Sequence, residues 1–269
     1  MRFLEEYLRL DRLDRLSYQD TAVHRLDPRA KVIATLLFVT TVVSFPKYDI
    51  LSLLPLFLFP VLFAVLGDIP GGLIARKVAA VSPFALFVGI FNPLLDRGTV
   101  AIAPGIAVAA GWLSFASILL KFSLSISAAL LLIATTSFPG ICHALNRLGF
   151  PDLFVTQLLL LYRYLFVLLD EASRMVRARE SRSFGGGRIP LRLFARLAGE
   201  LLVRTVERAE RIHGAMLARG FRGEMPARHP LSMRKADAAF LAATAALLLV
   251  VRLLPVPETV GRFARSLFA

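Results

Sequence analysis

The stretch LLYRYLFVLLDEASRMVRARESRSF, residues 160–184, changes character near its middle. Its first ten residues are apolar apart from Arg163 and two tyrosines, whereas the part from Asp170 onward carries four arginines and three carboxylates. The second part has helical character, and neither part contains a proline or a glycine. We therefore expect an apolar helical region that meets a charged helical region at this point in the chain.

Composition indicates that this charged region is set into a membrane protein. The chain has 269 residues, of which 57% are hydrophobic, and a formal net charge of +13. Soluble domains are about 45–50% apolar. Residues 171–235 hold 15 Arg and Lys against 6 Asp and Glu, a net +9 in one block. The long apolar runs predict an all-α, polytopic membrane protein without a nucleic-acid partner. Because Lys- and Arg-rich segments stay in the cytoplasm, we predict that the charged block is its one cytoplasmic element.

Apolar runs divide the chain into regions and predict about five to seven membrane helices. Asp27 followed by Pro28 predicts the start of the first of them, because Asp caps a helix and Pro suits its first turn. The four regions are an N-terminal cytoplasmic or interfacial segment (1–31), a transmembrane region (32–170), a block of cytoplasmic amphipathic helices (171–235), and a last membrane helix with a short tail (236–269).

Three local interpretations accompany this division. Residues 92–105 are expected to form an outside loop. The apolar residues 106–136 form either one long tilted helix or two short helices that meet near Lys121. Arg163 lies in an apolar run, where an unpaired charge is costly, and we expect it to pair with Asp170 or Glu171.

Two similar arginine motifs occur at the predicted ends of two helices in the charged block. VRARESRSF (176–184) and MLARGFRGE (216–224) each place a second arginine three residues after an Ala-Arg pair, with a phenylalanine close by. Taken alone, the second motif can be explained as a helix end, because Gly220 can adopt the left-handed conformation that often ends a helix. The repetition instead favours a partner with two equivalent acidic grooves, since the arginine fork pairs bidentately with carboxylates.

On these motifs, together with HRLDPRAK (24–31), the chain resembles the transmembrane T component of energy-coupling factor (ECF) transporters, most closely the cobalt branch, CbiQ. The resemblance implies two cytoplasmic coupling helices, each ending in an Ala-Arg-Gly-like motif that contacts an ABC ATPase. The second motif matches fully, and the first has Glu in place of Gly. The implied ATPase-coupling residues are Ala178, Arg179, Glu180, Ala218, Arg219 and Gly220, with Arg182 and Arg222 in support.

The resemblance also implies a division of labour among subunits. Two CbiO-like ATPases would bind ATP, a CbiM-like membrane subunit would bind the substrate, and a small CbiN-like subunit would accompany it. This chain would then be a non-enzymatic coupling subunit for cobalt import towards cobalamin biosynthesis. It would lie in a bacterial inner (plasma) membrane among lipids and hold no cofactor or metal. The sequence leaves two alternatives open: the permease of a conventional ABC transporter, and a membrane enzyme that acts on phosphate-bearing lipids.

Overall fold

The computed structural model describes residues 16–95, 98–103, 106–182, 190–223 and 233–253. These residues are mostly helical. In chain order the elements are α1 (Pro28–Ser44), a 3-10 helix (Leu51–Phe57), α2 (Leu58–Leu66), α3 (Gly71–Gly89), α4 (Asn92–Leu95), β1 (Thr99–Ala103), β2 (Ile106–Ala109), α5 (Ala110–Thr135), α6 (Phe138–Arg147), α7 (Asp152–Arg182), α8 (Leu191–Ala218) and α9 (Lys235–Leu253).

Within the described residues, four helices are long and apolar enough to cross a membrane, namely α3, α5, α7 and α9. The 3-10 helix and α2 together form a shorter apolar helical segment, Leu51–Leu66. The prediction of an all-α, polytopic membrane protein is thereby confirmed. The predicted count of five to seven crossings stays a prediction.

The structure decides between the two interpretations of residues 106–136. Helix α5 runs without a break for 26 residues, about 39 Å at 1.5 Å per residue, so Lys121 lies inside one helix. The expected loop at residues 92–105 is only partly a loop. It contains α4 and strand β1, which pairs antiparallel with β2 and places Thr99 opposite Ala109. Alternation is hard to recognise in so short and uniformly apolar a segment, which explains why the hairpin escaped prediction.

The chain divides into two compact units. The bundle unit consists of the described residues of Asp14–Ser137 and Leu231–Ala269, and the long-helix unit consists of those of Phe138–Pro230. In the bundle unit, α1 packs against α5 and α9, and α3 packs against α5. A row of phenylalanine rings links α1, α2 and α9, with centroids 4.5–5.9 Å apart. The row consists of Phe38, Phe59, Phe63 and Phe240.

Two lysines stabilise helix ends inside the bundle unit. Lys31, in the first turn of α1, donates hydrogen bonds from Nζ to the backbone oxygens of Thr135 (2.8 Å) and His24 (3.2 Å). Lys121, in the middle of α5, donates to the backbone oxygen of Phe45 (2.6 Å), the residue that follows α1. Each lysine thus satisfies a carbonyl at the C-terminal end of the other helix, where cations are favoured. This explains the charge in the middle of α5.

The N-terminus of α1 is capped by Asp27, as the sequence predicts. The Asp27 carboxylate accepts a hydrogen bond from the backbone N–H of Arg29, and Pro28 occupies the first turn. A carboxylate far along the chain adds to this cap, because Asp237 accepts from the backbone N–H groups of both Asp27 (2.8 Å) and Arg234 (2.7 Å). One buried side chain therefore serves the N-terminal ends of α1 and α9 together.

Candidate functional site

Helix α7 is the longest described helix of the long-helix unit. Its 31 residues extend about 46 Å, since neither glycine nor proline interrupts them. Asp152 lies in the first turn, where a carboxylate is favoured, and accepts a hydrogen bond from Asn146 across the turn that follows α6. The apolar first part exposes Leu153, Phe154 and Leu161, and the charged second part ends at Arg182.

Helix α8 is amphipathic and ends in a defined backbone motif. Pro190 precedes its first residue, and 28 residues follow without a kink-forming proline. At the other end Arg219 is the capping residue and Gly220 has a φ of 80°. The N–H of Phe221 bonds to the oxygen of Met216 (3.0 Å) and the N–H of Gly220 to that of Leu217 (2.9 Å). This pair of bonds is a Schellman motif, in which glycine accommodates the left-handed residue.

The predicted coupling residues lie on the surface at the ends of these two helices. Arg179 is half-buried in the last turn of α7, and Arg219 is exposed at the C-cap of α8. The other predicted residues are all exposed: Ala178, Glu180, Arg182, Ala218, Gly220 and Arg222. Within the described part of the chain, no carboxylate pairs with any of the four arginines, although several neighbouring arginines have such partners. These guanidinium groups are therefore available to a partner.

An ion-pair cluster joins the two helices. Glu171 of α7 accepts from Arg174 on its own helix (3.1 Å) and from Arg204 on α8 (3.2 Å), and it lies 3.7 Å from Arg208. Asp170 and Glu200 complete the cluster through pairs one turn away on their own helices. The hydrogen bond to Glu200 raises the pKa of Arg204.

A second contact fixes the direction of α8 relative to α7. Thr156 Oγ1, near the start of α7, donates to the backbone oxygen of Gly223 (3.1 Å), just after the end of α8. Because later residues of α8 meet earlier residues of α7, the helices run antiparallel. Arg219 therefore lies near the start of α7, whereas Arg179 lies about 23 residues, or about 34 Å, further along that helix. The two arginines are presented at opposite ends of the pair.

Sequence reasoning missed the cluster and misassigned Arg163. The predicted pairing of Arg163 with Asp170 or Glu171 is wrong: both carboxylates contact other arginines, and Arg163 stacks over the ring of Tyr164 at 5.8 Å. The three-residue spacing of Glu171 and Arg174 was a usable signal for a local ion pair. No spacing rule could have located the partners on α8, which follow 33 or more residues later.

Among the described residues, no three His, Cys, Asp or Glu side chains converge into a group that could hold a metal ion. The three described histidines, at positions 24, 143 and 213, belong to different segments of the chain. The expectation that this chain holds no metal or cofactor stays a prediction.

Comparison with known proteins places the chain in a family. Residues 19–230 match the family described as CbiQ, cobalt transport protein. An EcfT transmembrane protein of an energy-coupling factor transporter from Streptococcus thermophilus is 30% identical over 76% of this chain and 82% of its own length. An uncharacterized protein of Methanocaldococcus jannaschii is 28% identical over 89% of this chain and 82% of its own length. The cobalt transport protein CbiQ of Salmonella typhimurium is 35% identical over 37% of this chain and 45% of its own length. The chain therefore belongs to the CbiQ family and is a transmembrane T component of an ECF-type transporter.

Proposed function

We propose that this chain couples ATP hydrolysis by two ABC ATPase subunits in the cytoplasm to movement of a separate substrate-binding membrane subunit. The EcfT relatives carry the name of energy-coupling factor transporters, which supports such an assembly. Four helices are suited to a membrane, and one of them, α7, ends in a charged segment that holds Arg179. Together with the amphipathic α8, which ends at Arg219, they fit a subunit that connects a membrane component to cytoplasmic ones.

The observation that carries the proposal is the placement of Arg179 and Arg219. Both arginines lack a carboxylate partner in the described part of the chain, and they lie at opposite ends of a helix pair, about 34 Å apart along α7. That separation suits two acidic grooves on two subunits better than one groove on a single subunit. Each planar guanidinium would pair bidentately with a carboxylate inside its groove.

The same geometry suggests how motion would pass through the chain. When ATP closes the ATPase dimer, the two grooves approach each other and displace the ends of α7 and α8. Because α7 is one unbroken helix, displacement of its charged end also moves its apolar part. That part exposes Leu153, Phe154 and Leu161, a surface suited to a membrane partner.

Cobalt is the proposed cargo, because one relative and the family itself are described as cobalt transport proteins. In this assignment CbiO-like ATPases bind ATP, and a CbiM-like subunit binds the ion with a small CbiN-like subunit beside it. This chain acts as a non-enzymatic part of the complex in a bacterial inner membrane, with the coupling helices of residues 171–235 in the cytoplasm. Lipids contact the apolar faces of the spanning helices.

Transport assays on the whole complex test the proposal. Replacing both Arg179 and Arg219 with Ala should abolish ATP-dependent uptake, because both predicted contacts with the ATPases are lost. Arg192 and Arg196 provide a matched control, since both are exposed on α8 and their replacement removes the same charge. The control double variant should transport normally. Normal uptake by the Arg179→Ala, Arg219→Ala variant would refute the coupling role.

A further inference from the structure

The contacts of Glu171 point to a function beyond local stability. We propose that Glu171 is a positioning residue of the coupling machinery: it fixes the point at which α7 and α8 cross and so sets the separation of Arg179 and Arg219. This inference rests on the proposed function for its consequences in transport. The geometric part concerns the chain itself and can be tested alone.

Glu171 differs from the other carboxylates of the cluster in its partners. Asp170 pairs with Arg174, and Glu200 pairs with Arg204, each four residues away on the same helix. Glu171 instead contacts arginines of both helices, with N–O distances of 3.1, 3.2 and 3.7 Å. Among the described ion pairs, those that Glu171 makes with Arg204 and Arg208 are the ones that join α7 to α8.

Shielding from water strengthens these contacts. The Glu171 side chain is 16% exposed, whereas those of Asp170 and Glu200 are 55% and 50% exposed. Exposed ion pairs contribute little, because water and salt screen them. A less exposed carboxylate interacts more strongly with its partners. Removing it leaves Arg174, Arg204 and Arg208, which are 56%, 51% and 36% exposed, near one another without their shared counter-charge.

Apolar packing along α8 is partial. Among the described residues of α8 none is fully buried, and its apolar stripe of Leu197, Leu201, Ile212 and Met216 is half-buried. A hydrogen bond from Thr156 to Gly223 also holds the pair, near one end. Without the ion pairs of Glu171, only half-buried apolar contacts and that bond would resist a pivot of α8 about the start of α7.

The cluster lies close enough to both arginine motifs for a change at the cluster to move them relative to each other. Arg179 follows Glu171 by about two turns, or about 12 Å. Arg219 follows Arg204 and Arg208 by 11 to 15 residues, or about 16–22 Å, in the opposite direction. A slip of α8 by one turn would move Arg219 by about 5.4 Å relative to Arg179, enough to remove it from a groove that fits one guanidinium.

Distance measurements on the full chain in lipid nanodiscs test the positioning role. Spin labels on Arg182→Cys and Arg222→Cys report the separation of the two helix ends, and Cys142→Ser removes the free thiol. We expect a narrow distance distribution with Glu171 present and a broadened or shifted one in Glu171→Gln. Glu207→Gln is the matched control and should leave the distribution unchanged, because among the described residues Glu207 pairs only with Arg211 of its own helix (3.9 Å).

Two further results separate charge from shape. Glu171→Asp keeps the charge and should restore most of the narrow distribution, since the long arginine side chains can follow a shorter carboxylate. Glu171→Gln keeps the shape and should not. Identical distributions for the wild type, Glu171→Gln and Glu207→Gln would overturn the proposal, as would a broadened distribution in Glu207→Gln equal to that in Glu171→Gln.

Transport measurements test whether the separation of Arg179 and Arg219 affects the coupling of ATP hydrolysis to transport. In the complete complex, Glu171→Gln should still retain the ATPases, because both coupling arginines remain, but transport per ATP hydrolysed should fall about two- to tenfold. Retained ATPases in the Arg179→Ala, Arg219→Ala variant would refute the proposed function and leave the distance result standing. An unchanged distance distribution in Glu171→Gln would refute the positioning role and leave the proposed function standing.

Discussion

At the scale of single residues, Asp237 shows how one carboxylate organises the bundle unit. Its two oxygens accept hydrogen bonds from the backbone N–H groups of Asp27 and Arg234, which precede α1 and α9. The side chain is 2% exposed, so water cannot replace a lost partner. Two helix starts that are distant in sequence thus depend on one side chain.

Replacing Asp237 with Asn should therefore destabilise the chain. The amide offers one acceptor oxygen, and its NH₂ group faces a backbone N–H, which leaves a buried donor unsatisfied at a cost of about 1–3 kcal/mol. We expect a lower thermal midpoint for the purified chain in detergent, measured by fluorescence. Asp20→Asn is the control, because Asp20 forms an exposed pair with Arg25 and should matter little. Equal midpoints for the two variants would contradict this account of Asp237.

At the scale of elements, the ends of the helices carry the predicted function. The Schellman motif at the end of α8 needs Gly220 in a left-handed conformation, with a φ of 80°. Arg219 is the residue before it, so the direction of that side chain depends on how the helix ends. The local sequence alone was sufficient to predict this cap, because a cap is built from neighbouring residues.

Gly220→Ala should weaken the contact with the ATPases. A side chain in this left-handed conformation costs about 1–2 kcal/mol, which favours another backbone path after Arg219. We expect a severalfold loss of ATPase binding, measured by titration of the ATPases onto the chain in nanodiscs. Gly214→Ala is a matched control, because both sites have open space for a methyl group and Gly214 lies within the helix. A comparable loss in both variants would show that the helix end has no special role.

The limits of prediction follow the same distinction between local and distant contacts. The amphipathic helix α8, the Asp27 cap and the helical membrane class come from spacing and composition, and the structure confirms them. The partners of Lys31, Lys121, Glu171 and Asp237 come from other helices, up to 210 residues away in the case of Asp237. The spacing of residues in a sequence predicts which of them share a helix face, but it does not predict which other helix will pack against that face.

At the scale of the whole molecule, the account assigns ATP and the transported ion to other subunits. The chain purified alone should neither hydrolyse ATP nor bind Co²⁺ at micromolar concentration. The measurements are phosphate release and isothermal titration in nanodiscs, with the reconstituted complex as the positive control. Stoichiometric, tight Co²⁺ binding by the isolated chain would contradict this division of labour, because it would place a metal site here.

Titration of the ATPases onto this chain measures whether Arg179 and Arg219 hold the complex together. The wild-type chain, each single variant Arg179→Ala and Arg219→Ala, and the double variant would be compared in nanodiscs. The account predicts weaker binding for each single variant, because one arginine contact remains, and loss of measurable binding for the double variant. Binding of the double variant with wild-type affinity would contradict the claim that these two arginines connect the chain to its ATPases.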